Sequence, residues 1–327
     1  MSNKIFSEII YSIKNKNRKI FSDYFYLILI SFFLILFFIT LLLFTKVYSS
    51  RELKVIFLDV GQGDSILIQT PDGQKILIDA GPDDKVIRKI ESYLSIFNKE
   101  IDLVIMSHGD SDHITGFLYL FPKYNVKNIL VNGDQNKESS IYLINQEKIE
   151  QEIEFDESKT YIANCGDILS FGKGEDLIEM YILNPVKGGL IINDSNENSV
   201  VLLLVYKDYS FLFLGDASQE IENKLFLNIE NCFEKTVSLS LKEKLQDLTV
   251  LKVSHHGSNT GSSASFLKLI KPEYAVISAG KDNRFNHPHK EVVEILEKYS
   301  KNILNTVNTG DIIFQTDGKN LEIIKAK

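Results

Sequence analysis

The 327-residue sequence is poor in cysteine, with only Cys165 and Cys232, far apart. That excludes a cysteine-based metal motif and a disulfide framework. Two buried free thiols are expected, with a single bridge as the alternative. Charge is absent from Tyr24 to Thr45, in YFYLILISFFLILFFITLLLFT. About 20 apolar residues in a helix span a bilayer core, whereas the apolar part of a signal peptide runs about 7–15. Neither an A-x-A-like cleavage site nor a lipobox cysteine follows the run. The expectation is therefore an uncleaved single-pass anchor over 24–45. A short basic segment, 1–23, precedes it and a linker, 46–52, follows.

Residues 1–50 hold six basic and two acidic side chains, net +4; the whole chain is −8, so residues 51–327 carry −12. Positive charge ahead of the span predicts a cytoplasmic N-terminus and an extracytoplasmic body at the cell membrane. An acidic body argues against a broad duplex-DNA footprint. A basic stripe interleaved with aromatics is also missing, as is any internal repeat.

What is present is a series of apolar runs. LKVIFL, ILIQT, KILIDAG and IDLVIMS read as strands, with helical spacing over 83–98. A helix is expected to start at ITGFLYLFPKY, and NVKNILVN reads as another strand. A polar, variable stretch follows. Further strands are expected in DLIEMYILNP, SVVLLLVYKD, YSFLFLGD, TVLKVS and YAVISAG. The nearly continuous apolar SVVLLLVY suits a strand covered on both faces. SASFLKLIKPE and HKEVVEILEKYSKN read as helices, and the C-terminal stretch as a strand, a polar turn and a hairpin.

Asp59, Asp79, His108, Asp216 and His255 fall at the C-terminal ends of these strands, where α/β layers place their sites. The densest chemistry is SHGDSDHITG (107–116), with His108, Asp110, Asp112 and His113 in one short turn. Asp216 follows FLFLG, and His255 and His256 follow LKVS. Imidazole and carboxylate are ligands for zinc and other divalent ions, and a carboxylate such as Asp216 can bridge two. If the strand continued, His255 and His256 would point opposite ways. One is then a ligand, and the residues alone do not say which.

These motifs together resemble the metallo-β-lactamase fold superfamily. Within it they are similar to the hydrolase domain of ComEC-type DNA-uptake (competence) proteins. The resemblance rests on FLDVGQGDS (57–65), ILIDAG (76–81), MSHGDSDHITG (106–116), NENSVVLLL (196–204), FLGD (213–216), LKVSHHGS (251–258) and NRFNHPH (283–289). It covers residue 53 to the end and implies an αββα four-layer sandwich over 53–327, α+β in class, with metals at one edge of the sheets. It also implies that Asp79 orients the site, with Asp59 and Asn198 in support. Residues 217–248 look longer than the family pattern, and a helical insertion is expected there. The uptake proteins carry a multi-helix channel as well. With one span, this chain is expected not to form the pore, and a separate channel protein is a candidate partner.

The superfamily often supplies a further histidine between the opening motif and the GD strand. Here none lies between His113 and His255, and Asp110 stands where many members have histidine. An oxygen-richer pair of sites follows, favouring Mn²⁺ or Mg²⁺ more than a His-rich site does. The expected cofactor is one or two divalent ions, Zn²⁺ or Mn²⁺ first. The better site is Asp112, His113, Asp216 and one of His255/His256; the weaker is His108, Asp110 and Asp216.

Asp64 and Ser65 in the GQGDS turn, Ser258, Lys281, Arg284 and His289 are candidate phosphate contacts. Asp112 and His287 are the candidate catalytic residues, His287 as proton donor. The expected reaction is attack on a phosphodiester by metal-activated hydroxide, with extracytoplasmic DNA as the leading substrate. A phosphodiesterase of cell-envelope polymers and a non-catalytic, metal-stabilised DNA- or channel-binding module remain the alternatives.

Overall fold

Strands that are apolar at every position can be buried on both faces, and this requirement organises the chain. The computed structural model describes Tyr11 and residues 24–41, 52–95, 98–134, 140–155, 158–190 and 194–326. It divides into two units at Ser50/Arg51. In the first, Tyr24–Leu41 is a helix, α1, with a mean hydropathy of 2.6, long and apolar enough to cross a membrane. Most of the expected segment 1–23, the end of the span at 42–45 and most of the linker 46–52 lie outside the described residues.

In the second unit the strands are β1 (Leu53–Phe57), β2 (Ile66–Gln69), β3 (Lys75–Ile78), β4 (Glu100–Ile101), β5 (Leu103–Met106), β6 (Asn125–Val126), β7 (Asn128–Val131), β8 (Lys159–Ile162), β9 (Ile168–Phe171), β10 (Ile178–Asn184), β11 (Val201–Tyr206), β12 (Tyr209–Phe213), β13 (Val250–Lys252), β14 (Tyr274–Ile277), β15 (Asn302–Asn305), β16 (Asp311–Thr316) and β17 (Leu321–Ala326). The helices are α2 (Lys85–Tyr93), α3 (Ser111–Ile114), α4 (Phe117–Leu120), α5 (Ser140–Phe155), α6 (Gln219–Cys232), α7 (Lys235–Gln246), α8 (Ala264–Ile270), α9 (Lys290–Tyr299) and α10 (Thr306–Thr309).

One sheet runs β17-β16-β1-β2-β3-β5-β7-β8 and the other β15-β14-β13-β12-β11-β10-β9. Their inner faces meet through Val55, Phe57, Leu202, Leu204, Phe213 and Phe314. Side chains alternate along a strand, so Ile56 and Leu58 instead face α2 and α4. Leu203 and Leu212 likewise face α6 through α9. The layers are helix, sheet, sheet, helix, and both outer cores explain why the strand runs lack polar alternation. Residues 217–248 are largely α6 and α7, packed on the second sheet.

Three readings of the sequence are corrected. The polar stretch before β10 holds α5, β8 and β9. Helix α5 carries few buried apolar residues and β8 is exposed along its length, so periodicity gives little signal. The second correction is that Cys165 and Cys232 are bonded to each other as a disulfide, with Cα atoms 5.7 Å apart. Packing of α6 beside the loop after β8 brings them together across 67 residues of sequence. The third concerns helix 83–98, which shortens to Lys85–Tyr93.

Candidate metal centre

Strands β3, β5, β12 and β13 all end at one edge, and each delivers part of a cluster. Asp79 follows β3, with a left-handed backbone (φ 56°) that an Asp tolerates. Its Oδ1 accepts Ser107 N–H at 2.8 Å, and its Oδ2 accepts Ser107 Oγ–H at 2.6 Å. The same Oδ2 lies 2.8 Å from His113 Nδ1. Asp110 opens the turn into α3, which places Asp112 and His113 one turn of chain after His108. That turn sits tightly against the GQGDS loop. A Cβ on Gly63 would stand 2.0 Å from the Asp112 carbonyl oxygen, so only glycine fits.

His255 and His256 do not continue β13. Both have left-handed backbone, φ 48° and 55°. The expected opposition of their side chains is therefore overturned: His255 Nε2 lies 3.5 Å and His256 Nε2 3.6 Å from Asp216 Oδ2. His113 Nε2 is 3.2 Å from Asp216 Oδ1 and 3.3 Å from His256 Nε2. His108 Nε2 stands 3.8 Å from both Asp216 Oδ2 and Asp110 Oδ2. Asp112 Oδ2 is 3.4 Å from His256 Nε2.

The hydrogen bonds behind these rings define their tautomers. Ser107 Oγ gives its hydrogen to Asp79, so it accepts from His108 Nδ1, 2.9 Å away. His113 Nδ1 donates to Asp79, and His256 Nδ1 donates to the Ser278 carbonyl at 3.0 Å. Thr260 Oγ1 donates to Ser258 and so accepts from His255 Nδ1 at 2.9 Å. Each imidazole thus ties its Nδ1–H backwards and turns its Nε2 towards Asp216. That is the form in which histidine binds a metal.

Electrostatics points the same way. Burial opposes charge on His113, yet Asp216 and Asp79 outweigh it and hold the ring well above its usual pKa. For His256, burial is likewise outweighed, by Asp216 and Asp64, and the ring is pushed up to about 9. Burial would raise Asp216, but His113 and His256 hold it well below the carboxylate range. The cluster therefore demands positive charge. Among the described residues, buried His108 Nε2 has no hydrogen-bond partner, and Asp216 Oδ1 is approached by His113 Nε2 at 3.2 Å. The donor set, N and O atoms on Asp64, His113, Asp216 and His256 within 4.8 Å of one another, fits a divalent cation.

Several expected phosphate contacts lie elsewhere. Asp64 and Ser65 are 2% and 0% exposed. Asp64 is held by Lys252 Nζ at 2.7 Å and lies 3.2 Å from His256 Nδ1, while Ser65 Oγ donates to the Asp79 carbonyl. Buried Ser258 accepts from Thr260. Both His289 ring nitrogens are engaged, one by Asn259 N–H and the other near the Phe285 carbonyl. Asn198 lies further back, donating to Asp134 Oδ2, and the Asp59 N–H donates to Asp311. Asp110 accepts from Ser195 Oγ.

Arg284 does reach the mouth of the cluster, a cavity of 370 Å³ lined by Gln62, Ser111, Asp112, Asn283 and Phe285 among others. His287 rests beside it, its ring centre 5.5 Å from that of His255, with Nδ1 buried and unpartnered among the described residues. Burial, reinforced by His255, His256 and His289, pushes His287 down to about 4. Lys281 belongs to a neighbouring cavity. Sequence reasoning missed Ser107 and Lys252; the signal for Lys252 was a lone cation inside an otherwise apolar strand.

A double sheet flanked by helices, with a His/Asp cluster at the strand ends, defines an αββα metal-site protein. Residues 58–281 match the metallo-beta-lactamase superfamily, and the chain belongs to that superfamily. Its curated relatives include competence proteins. It is 28% identical over 293 residues to "ComE operon protein 3" of Bacillus subtilis (84% of this chain, 34% of that protein). It is 29% identical over 303 residues to "Recombination protein 2" of Haemophilus influenzae (91% and 33%). The chain thus spans about a third of the length of these relatives. Among solved structures, the metallo-beta-lactamase fold protein YhfI from Bacillus subtilis superposes with a TM-score of 0.52 at 12% identity, covering 81% of this chain and all of that one. A mutant of CmlA beta-hydroxylase gives 0.50 at 11% identity, covering 82% and 54%. That title names a different reaction, so the fold alone does not set the chemistry.

Proposed function

We propose that this chain is a membrane-anchored, extracytoplasmic, metal-dependent phosphodiesterase acting on DNA. The observation that carries the metal-dependent part is the common orientation of four imidazoles, each presenting Nε2 to Asp216. Asp112, His113, Asp216 and His256 would hold the better-bound ion; His108, Asp110, Asp216 and His255 would hold the other. Zn²⁺ or Mn²⁺ is the ion proposed, with Mg²⁺ as a harder alternative. Asp64 would steady the His256 ring, and Asp79 the rings of His108 and His113.

Bound divalent ions supply Lewis acidity and an acidified water. The remaining work falls to this chain's side chains. Burial raises the Asp112 carboxyl, but His256 and His113 hold it at about 2. It is therefore ionised at neutral pH, ready to hold a cation and to orient the attacking water by hydrogen bonding. Arg284 at the cavity mouth binds the substrate phosphate. A phosphate there favours the protonated form of His287, which then serves the leaving oxygen.

Helix α1 supports the anchor. The Cys165–Cys232 disulfide supports the extracytoplasmic side, because such bonds persist in oxidising compartments. Likeness to competence proteins supports DNA as substrate, and a separate DNA-uptake channel protein as partner.

The test is the full chain in detergent, assayed for bound metal and for hydrolysis of bis-p-nitrophenyl phosphate. Asp112→Ala and Asp216→Ala should each cut turnover by about 100-fold or more with the far-UV spectrum unchanged. A folded, metal-loaded chain with no turnover in Zn²⁺, Mn²⁺ or Mg²⁺ would overturn the enzyme reading in favour of a binding module.

A further inference from the structure

A second cavity, of 520 Å³, adjoins the metal centre and is lined by Lys85, Arg88, Lys89 and Lys281. The body of the chain is strongly acidic, so four cations around one cavity stand out. Asp59 is the one carboxylate among the lining residues. Lys89 is committed to Asp311, at 2.7 Å. Among the described residues, Lys85 and Arg88 make only long, solvent-exposed pairs, 3.6 Å to Asp83 and 3.4 Å to Asp84. Such pairs are worth little and yield readily to a stronger anion.

Close packing of two motif loops assembles this cavity. A Cβ on Gly280 would meet the Gln62 backbone nitrogen at 2.7 Å, so the loop after β14 lies directly on the GQGDS loop. Gly280 N–H donates to Gln62 Oε1 at 3.1 Å, while Gln62 Nε2 is buried without a partner among the described residues. This packing brings Lys281 across to the exposed face of α2. Gln62 and Asn283 line both cavities, so the basic cavity continues into the mouth at Asp112. Phe285, 43% exposed, sits at that mouth, with the Arg284 guanidinium 4.6 Å over its ring.

We propose that the basic cavity is a second phosphate subsite for a nucleic-acid strand whose scissile phosphate lies at Asp112. The neighbouring phosphate is held by Lys85, Arg88 and Lys281, and the base between them stacks on Phe285. This inference rests on the phosphodiesterase reading and adds to it the residues that hold the strand beside the scissile phosphate. Phe285, with the His287 ring stacked on it at 5.5 Å, offers a base part of a π-face to stack on. Binding along the phosphate backbone supplies affinity and makes it salt-dependent.

The test uses the full chain in detergent, in the cleavage-deficient Asp112→Ala background, with a fluorescent 12-nucleotide oligothymidylate. Lys85→Glu/Arg88→Glu should weaken binding at least tenfold. The slope of log affinity against log salt should become shallower by about 0.7 for each phosphate that the variant no longer neutralises. Both changes lie on an exposed helix face, and circular dichroism verifies the fold. Unchanged affinity and slope, or no binding by the parent, overturns the subsite. An abasic strand of the same length should bind more weakly, and Phe285→Ala should erase that difference. Equal binding of the abasic strand overturns the nucleic-acid assignment in favour of a baseless polyphosphodiester. Hydrolysis of bis-p-nitrophenyl phosphate by the wild-type chain judges the parent reading separately. A chain that binds the strand through Lys85 and Arg88 yet cuts nothing keeps the subsite and loses the enzyme.

Discussion

Lys252 Nζ lies 2.7 Å from Asp64 Oδ2, and both side chains are sealed from solvent. The pair joins β13 to the GQGDS loop directly behind His256. Burial raises the Asp64 carboxyl, but the Lys252 charge and His256 outweigh it and hold it far below the usual range. Removing one partner leaves a buried charge unmatched, which costs about 3–5 kcal/mol. Lys252→Met should lower the unfolding free energy by that amount in urea titrations. Asp64→Asn added to Lys252→Met should recover part of the loss. A single-variant effect below about 1 kcal/mol would show that the pair is not a structural strut.

Asp110 sits 3.8 Å from His108 Nε2 and also receives the Ser195 hydroxyl. Replacing its oxygen by nitrogen makes the neighbouring site softer. Asp110→His should shift competition between Zn²⁺ and Mn²⁺ towards zinc by at least the roughly 10-fold typical of a change around a ligand. Metal analysis after dialysis against equal concentrations of both ions reads the ratio, and no shift would remove Asp110 from the metal set.

The bond between Cys165 and Cys232 closes a long loop, with a sequence separation of 67. Loop entropy alone suggests about 4 kcal/mol of stabilisation, with about 2–4 typical in practice. Cys165→Ser/Cys232→Ser should show that loss under oxidising conditions. Dithiothreitol should destabilise the wild type to the same level and leave the variant where it was.

Glu222 of α6 is buried and accepts the N–H groups of Ser262 and Ser263 ahead of α8. Burial, the larger effect, pushes it up to about 7, while those N–H groups pull the other way. Between the unfolded value, about 4.3, and 7, the folded chain holds a proton that the unfolded chain has lost. Stability from this group is thus greatest at low pH and falls as pH rises through the window, by up to about 4 kcal/mol. Glu222→Gln carries a fixed cost but no titration. Its unfolding free energy should change less between pH 5 and pH 8 than the wild type's, and parallel curves would contradict the shift.

Much of the site was legible because its residues sit in short motifs at the ends of apolar strands. SHGDSDHITG, FLGD and SHHGS each name their side chains outright. Composition likewise marked α1, because a charge-free apolar run of that length can form a helix long enough to cross a membrane. Continuous apolar runs signalled strands covered on both sides.

What sequence could not determine depends on chain segments meeting in space. Local periodicity carries no information on whether Cys165 faces Cys232, because α6 packing decides it. The left-handed turn at His255 and His256 overrides strand alternation, so both rings reach Asp216. Asp64 looks like a substrate contact until Lys252 is seen to bury it. Lys85 and Arg88 look like an ordinary solvated helix face, and become one wall of a cavity only because Gly280 lets another loop lie against Gln62. Residue type and spacing therefore determined which chemistry is available here. Tertiary packing, by setting burial and distance, decided which groups face a cation and which hold those groups in place.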